Sequence, residues 1–268
     1  MSILERGVER VRHQPKYRLA EVVATERLTP RMQRIVFHSD EFADFRSAAY
    51  DDHIRLFLPK PGLDVPRPLR RENRLVFPSG VARPDARDYT PRAFDRSRNL
   101  LTVDFVLHGH GPGSSFAARA QAGDRIGVSG PGSSMVVRGA FDWYLLIGDE
   151  TALPAIGRRI EELPHGARIL AFIEIADQHE RQSFASSADV VLNWVERDRA
   201  QSDPSTPLQD AVRAAALPAG TGFAFVAAEN TAARNLRRHL VEERGIDPEF
   251  IKAYRFWQRG EVDLGQGG

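Results

Sequence analysis

The stretch WYLLIGDETALPAIGRRIEEL, residues 143–163, decides the architecture. Trp143 to Ile147 are apolar without a break and end at Gly148, the pattern of a short strand buried on both faces. Gly148 to Thr151 turn the chain. Pro154 then falls in a first helical turn, where its missing N–H costs nothing, and residues 155–163 carry an apolar helical face that Pro164 ends. Strand, tight turn and helix form the first half of a βαβ unit, so a parallel sheet with crossover helices is predicted from about residue 140 onward.

The same grammar continues downstream. Residues 168–175 and 190–195 read as buried strands, 208–216 as a helix after the loop SDPSTP, and 223–227 as a strand. A strongly amphipathic helix is predicted over 231–244, stopped by Gly245, with a last strand over 250–256 and a disordered GQGG tail.

Upstream the pattern differs. Residues 1–14 read as a frayed or loosely helical lead-in, followed by short β-favouring runs at 17–25, 32–38, 53–58, 88–94, 99–107 and 125–128 and one short helix near 115–120. Residues 60–86, rich in proline and arginine and without periodicity, read as a long loop. Six such strands in succession predict a six-stranded antiparallel barrel. The fold class is therefore β plus α/β. A chain of 268 residues is long for one domain and suits two, with the division at 138/139.

Composition excludes several functions. No apolar run approaches the roughly 20 residues of a membrane span, so no membrane insertion is expected. The charged N-terminus lacks the pattern of a secretory leader. There is no cysteine, which removes disulfides, a thiol nucleophile and a thiolate-held iron–sulfur cluster, and makes a cytoplasmic setting the default. A formal charge of +1 gives no global pull toward nucleic acid. Lysine occurs only at Lys16, Lys60 and Lys252, so a cationic site here is an arginine site.

Chemistry concentrates in five short stretches. RDYTPR, residues 87–92, joins a fixed cation, a flat aromatic and a small hydroxyl, stopped by proline. Arg87 can fork onto a phosphate, Tyr89 can lie against an isoalloxazine ring, and Thr90 can hydrogen-bond its edge. Strand alternation puts Thr90 on the other face from Arg87 and Tyr89, so a bend or barrel rim is needed to bring them to one ligand. The run Leu107-His108-Gly109-His110-Gly111-Pro112-Gly113-Ser114-Ser115 is either a structural turn or a pyrophosphate cradle, with Ser114 or Ser115 capping a helix whose free amides face the anion. His108 and His110 lack the further ligands that a metal site requires, so none is expected. Asp149, Glu150, Thr151 and Ala152, with Ala228 and Glu229 after a later strand, stand where an open α/β sheet binds nucleotides. For Glu150 and Glu229 helix capping and ligand contact both stay open. After the second parallel strand, EIADQHER (174–181) offers a carboxylate for a ribose hydroxyl or Arg181 for a 2′-phosphate. No nucleophile elbow, Walker loop or nucleic-acid motif is present.

Together these stretches resemble the siderophore-interacting protein family, NAD(P)H-dependent ferric-siderophore reductases of the ferredoxin-reductase superfamily. The resemblance runs over nearly the whole chain. It is carried by TPRMQRIVF (29–37), DHIRLFLP (52–59), RDYTPR, VDFVLHGHGPGSSFAARAQAGDRIGVSGPG (103–132), IGDETALPAI (147–156), FAFVAAENTAARNLRRHLVEERGI (223–246) and YRFWQRGE (254–261). It implies FAD held non-covalently in the N-terminal barrel, NADPH or NADH on the parallel-sheet domain, and a ferric siderophore as substrate of a monomeric protein. By matching motif, Arg87, Tyr89, Thr90, Asp104, Leu107, His108, Gly113, Ser114 and Ser115 would contact FAD, with Tyr89 and Thr90 at the reacting ring. Asp149 to Ala152, Ala228 and Glu229 would line the nicotinamide side. The C-terminal segment would fold back over the flavin, seating Trp257 on the cofactor and forming a basic rim for an anionic chelate from Arg55, Arg255 and Arg259. The chain departs from the family at Arg55, where lysine is usual, at Ala228 (glycine), Phe256 (tyrosine) and Gln258 (arginine), and lacks an arginine near Gly132. The competing functions are a reductase acting on free flavin, a quinone or a partner protein, and a flavin-free module that binds an anionic chelate.

Overall fold

The computed structural model describes residues 6–71, 74–197 and 206–260, and the chain divides into two compact units. The first part of the chain is β structure: β1 (Gly7–Arg12), β2 (Tyr17–Thr29), β3 (Met32–His38), β4 (Ile54–Leu58), β5 (Leu69–Arg71), β6 (Arg74–Val76), β7 (Asp85–Tyr89), β8 (Ala93–Asp95), β9 (Leu100–Val106), β10 (Arg125–Ser129) and β11 (Ser133–Arg138). One short helix, α1 (Pro112–Arg119), interrupts it.

Seven of these strands form one sheet in the order β7-β4-β10-β2-β3-β9-β8. Laid flat, seven strands would span about 29 Å. Yet the edge strands β7 and β8 are joined only by Thr90-Pro91-Arg92, a link of at most about 15 Å. The sheet must therefore curl until its edges nearly meet. Two register shifts in the β2–β3 ladder, at Val22/Ala24 and Arg27/Thr29, supply bends of the required kind. The inside is filled by Val22, Ile35, Phe37, Phe42, Phe45, Ile54, Leu56, Leu101, Val103 and Phe105, all fully buried.

The expected barrel has one strand more than the six read from sequence, because residues 88–94 are two strands rather than one. Pro91 has no N–H to give a ladder, so β7 ends on β4 while the Arg92 amide already bonds Thr102 O on the opposite edge, 2.9 Å away. Residues 7–12 form a strand, paired with β11, where a loose lead-in was expected. Both mix polar and apolar residues without a period of two and are mostly half-exposed, so neither shows the apolar alternation that marks a strand in sequence. The long loop contains a small hairpin, β5–β6, and the short helix starts at Pro112 rather than near 115.

The second part is a five-stranded parallel sheet in the order β14-β13-β12-β15-β16, built from β12 (Trp143–Gly148), β13 (Arg168–Ile175), β14 (Asp189–Glu196), β15 (Gly222–Glu229) and β16 (Ile251–Trp257). The intervening helices are α2 (Leu153–Glu162), α3 (Thr206–Ala214) and α4 (Asn230–Arg238), the last running on into a π-helical turn at His239–Glu243. The chain steps outward from β12 to β14 and then returns to lay β15 on the other side of β12. The order thus reverses between β12 and β15, and the crevice at their carboxyl ends is where such sheets take ligands. Residues 202–205 of the SDPSTP loop and the GQGG tail lie outside the described residues, while Thr206 and Pro207 open α3.

Gly148, at that crevice, is required by close approach. A Cβ there would stand 2.5 Å from Ala152 Cβ and 2.7 Å from Ala227 O. Gly148→Ala should destabilise the protein by about 1–3 kcal/mol in chemical unfolding. Gly132→Ala, where a Cβ meets nothing within 4 Å, should change it by less than about 0.5 kcal/mol.

Candidate functional site

In the antiparallel unit, RDYTPR occupies the point where the curled sheet's two edges approach. Tyr89 packs on Phe105, ring centroids 4.4 Å apart, and its hydroxyl rests on the first turn of α1: a Cβ on Gly113 would lie 1.8 Å from Tyr89 Oη. Gly113 is thus the residue that lets the end of β7 meet the start of α1. Helix geometry leaves the first amides of α1 without an intrahelical acceptor, and Pro112 removes one, so those of Gly113 and Ser114 remain; the Ser115 amide is already bonded to Gly111 O at 3.0 Å. Arg87, half-buried on the same strand, holds Ala86 O at 2.7 Å through Nη1.

Ser114 does not cap this helix. Gly111 is the N-cap, at φ 75°, and the Ser114 hydroxyl reaches back to accept from the amides of His108 (3.0 Å) and Gly109 (3.2 Å). Two of the glycine loop's amides, those of His108 and Gly109, are thereby taken up within the loop. Burial, then the neighbouring His110, hold His108 below its ordinary pKa, so near neutral pH its ring is uncharged. Leu107 packs against the barrel core and gives its amide to Arg31 O at 2.7 Å. Asp104 is buried and takes Arg34 in a two-pronged pair, at 2.7 and 2.8 Å, with Arg92 Nε 3.8 Å away. It fixes the Arg34 guanidinium at the barrel wall and attracts that of Arg92, and Thr90 is buried.

The antiparallel unit therefore offers a planar aromatic, a guanidinium and a helix N-terminus with free amides. That donor set suits a flavin bearing a pyrophosphate, with Arg87 and the α1 amides toward the phosphates and Tyr89 toward the ring.

Arg55 meets Asp88 directly across the β4–β7 ladder and grips it with Nε and Nη2 at 2.8 and 2.9 Å. It is a paired cation.

In the parallel-sheet unit, carboxylates gather at the strand carboxyl ends. Asp149 is buried; Oδ1 accepts from the Thr151 amide (2.9 Å) and hydroxyl (2.5 Å), and Oδ2 from Trp257 Nε1 at 2.8 Å. Trp257, at the end of edge strand β16, is thus pinned to the turn after β12. Glu150 reaches away from α2: Oε1 takes the Ala176 amide at 2.6 Å and Oε2 takes Arg197 Nη2 at 2.7 Å. Arg197 also bonds Glu174 Oε1 through Nε, at 2.8 Å, so one guanidinium staples the ends of β12, β13 and β14. The amide end of α2, whose N-cap Ala152 brings no side-chain bond, is left open. Glu229 caps α4, accepting from Thr231 at 2.6 Å and Ala232 at 3.3 Å, beside buried Ala228. Gln258 Oε1 gathers Asn230 Nδ2 (3.1 Å) and Arg255 Nη1 (2.9 Å), and the Arg259 amide lies 3.4 Å from Glu229 Oε1.

Burial raises the Asp149 pKa, against the pull of its Thr151 and Trp257 bonds. Burial likewise pushes Glu174 up to about 7, against the pull of Arg197, and its Oε2 has no partner. Arg197 was not singled out in the sequence, and Gln258 only as a departure from the family's arginine. A lone arginine one residue past a strand carries no local signal; only the parallel register brings it to Glu150 and Glu174.

Comparison with known proteins agrees with this geometry. Residues 21–135 match the family model of the siderophore-interacting FAD-binding domain, and residues 141–260 that of siderophore-interacting protein. An NADPH-dependent ferric-chelate reductase of Escherichia coli is 31% identical over 96% of this chain and 99% of its own. The ferric vibriobactin reductase of Vibrio cholerae is 29% identical over 91% of this chain and 90% of its own. The crystal structure of a siderophore utilization protein from T. fusca superposes with a TM-score of 0.84 at 38% identity, covering 96% of this chain and 97% of that one. The chain belongs to the siderophore-interacting protein family.

Glu174 yields a signed pH prediction. Its carboxyl stays protonated to about pH 7 in the folded protein but only to about 4.5 when unfolded, so the folded state binds more protons between those values. Stability should fall as pH rises through that window and level off above it. Glu174→Gln should remove this limb, so that melting curves of variant and parent diverge by roughly 1–3 kcal/mol between pH 5 and 8. A difference that does not vary with pH would contradict it.

Proposed function

We propose that this chain is a flavoprotein reductase that takes electrons from NADPH or NADH and delivers them through FAD to the Fe(III) of a ferric siderophore, releasing Fe(II) for iron acquisition. The observation that carries the reading is the seat of Tyr89 on Gly113, which joins RDYTPR to the open amide end of α1. The names of the relatives support it. Bound FAD converts a two-electron hydride donor into a one-electron source, which iron requires. The protein's residues then bind, orient and shield. Arg87 and α1 hold phosphate, Tyr89 and Thr90 border the ring, and the barrel wall of Phe105 and Asp104 keeps them placed.

We assign residues 1–138 to the FAD-binding domain and 139–268 to the nicotinamide domain, with Asp149 to Ala152, Ala228 and Glu229 lining its nucleotide crevice. Glu174 is committed to Arg197, so Arg181, exposed and 3.4 Å from Glu196, is the candidate for a 2′-phosphate. In this reading Trp257 covers the flavin, and Arg55, Arg255 and Arg259 face the chelate. The protein works as a cytoplasmic monomer, and no helix among the described residues is long and apolar enough to cross a membrane. A second reading, a reductase of free flavin or a quinone, is favoured by one observation: Arg55 is already neutralised by Asp88.

Arg87→Ala should purify flavin-poor and bind FAD about 10- to 150-fold more weakly, as loss of a charge-assisted phosphate contact demands. Stoichiometric FAD retained through dialysis would remove Arg87 from the site.

Asp88→Asn removes the carboxylate that faces Arg55 and should lower the Michaelis constant for an anionic ferric chelate, whereas Arg55→Ala should raise it. Both variants should reduce an uncharged quinone as the parent does. If neither change moves the constant for the chelate, the quinone reading gains.

A further inference from the structure

The segment joining β4 to β7 is unlike the rest of the surface. Of the six large hydrophobic side chains exposed among the described residues, four lie within it: Leu63, Leu69, Val76 and Val81. Residues 60–83 also carry six basic side chains against two carboxylates, in a chain whose formal charge is only +1. Exposed apolar groups and a local excess of positive charge are thus concentrated in one stretch.

The β5–β6 hairpin sorts them by face. Its register sets Leu69 opposite Val76, Arg70 opposite Leu75 and Arg71 opposite Arg74. Alternation puts the Arg70–Leu75 pair on one side and the other two pairs on the reverse. The first side faces the protein: Arg70 Nη1 bonds Pro15 O, and Arg70 and Leu75 line a cavity of about 250 Å³ with Lys16, Tyr17, Arg67 and Pro68. The reverse side therefore presents Leu69, Val76, Arg71 and Arg74 to solvent, and all four are exposed. Neither Arg71 nor Arg74 has a carboxylate partner among the described residues. Two like charges directly opposite each other work against the hairpin, and an external anion would relieve that repulsion.

We propose that the outward face of this hairpin docks the protein on an anionic lipid bilayer. The geometry suits a surface contact: Leu69 and Val76 enter the headgroup boundary while Arg71 and Arg74 meet lipid phosphates and carboxylates. A two-residue apolar contact alone gives marginal binding, so the charge is required as the second signal.

The test is co-sedimentation of the FAD-loaded full chain with phosphatidylcholine vesicles made with and without phosphatidylserine. The parent should bind the anionic vesicles only, and added salt should release it. Arg71→Ser with Arg74→Ser should weaken binding about fivefold per arginine. Leu69→Ser with Val76→Ser should weaken it as well, while Arg71→Lys with Arg74→Lys should bind as the parent does, because a bilayer reads charge rather than a guanidinium fork. All four substituted positions lie on an exposed face, and unchanged melting curves check that each variant is folded. Absence of binding by the parent, or equal binding to neutral vesicles, would overturn the proposal. So would serine variants that bind vesicles normally but raise the Michaelis constant for a soluble ferric chelate, which would place the hairpin in the substrate site. Loss of binding in the lysine pair would point to a carboxylate-bearing protein surface instead, and would equally overturn it.

Discussion

A three-residue link sets the form of the antiparallel unit. Thr90-Pro91-Arg92 must carry the chain from one edge of a seven-stranded sheet to the other, and it can do so only if the sheet is curled. Proline ends one ladder by lacking a donor, and Arg92 begins the next by bonding Thr102. The same link fixes Tyr89 at the rim, where Phe105 backs its ring and Gly113 makes room for its hydroxyl. Closure and site construction are thus one event. A residue that spoiled the crossing would disturb the cofactor platform and the barrel core together.

The parallel-sheet unit solves a different problem, how to keep acidic groups buried at the carboxyl ends of its strands, where sheets of this order take ligands. Arg197 takes up Glu150 and Glu174, while Asp149 spends its oxygens on Thr151 and Trp257. The open amide end of α2 is then the feature left to attract an anion. The cost is visible at Glu174, whose second oxygen is buried without a partner.

Much of this was legible in the residues. The unbroken apolar run of β12, the Pro154 helix start and the Gly245 stop follow from local chemistry, and the structure has them where the pattern put them. The need for a rim at RDYTPR followed from strand alternation alone. What escaped depends on distant partners. The strands β1 and β11 are visible only as a pair, and the seventh barrel strand only as two edges of one sheet. The pairing of Arg55 with Asp88 and the staple at Arg197 are likewise properties of register, not of spacing. Glu229 turned out to cap its helix, one of two roles that the sequence left open.

The central claim is that electrons pass through a flavin held by RDYTPR and α1 to chelated iron. Its most direct test is an anaerobic titration of the FAD-loaded protein, first with NADPH and then with a ferric siderophore, following flavin absorbance and trapping Fe(II). The account predicts that the oxidised flavin band bleaches with nucleotide and returns with chelate, yielding two Fe(II) per reduced flavin, as electron balance requires. A flavin that NADPH and NADH both leave oxidised, or a reduced flavin that a ferric siderophore does not reoxidise, would contradict it.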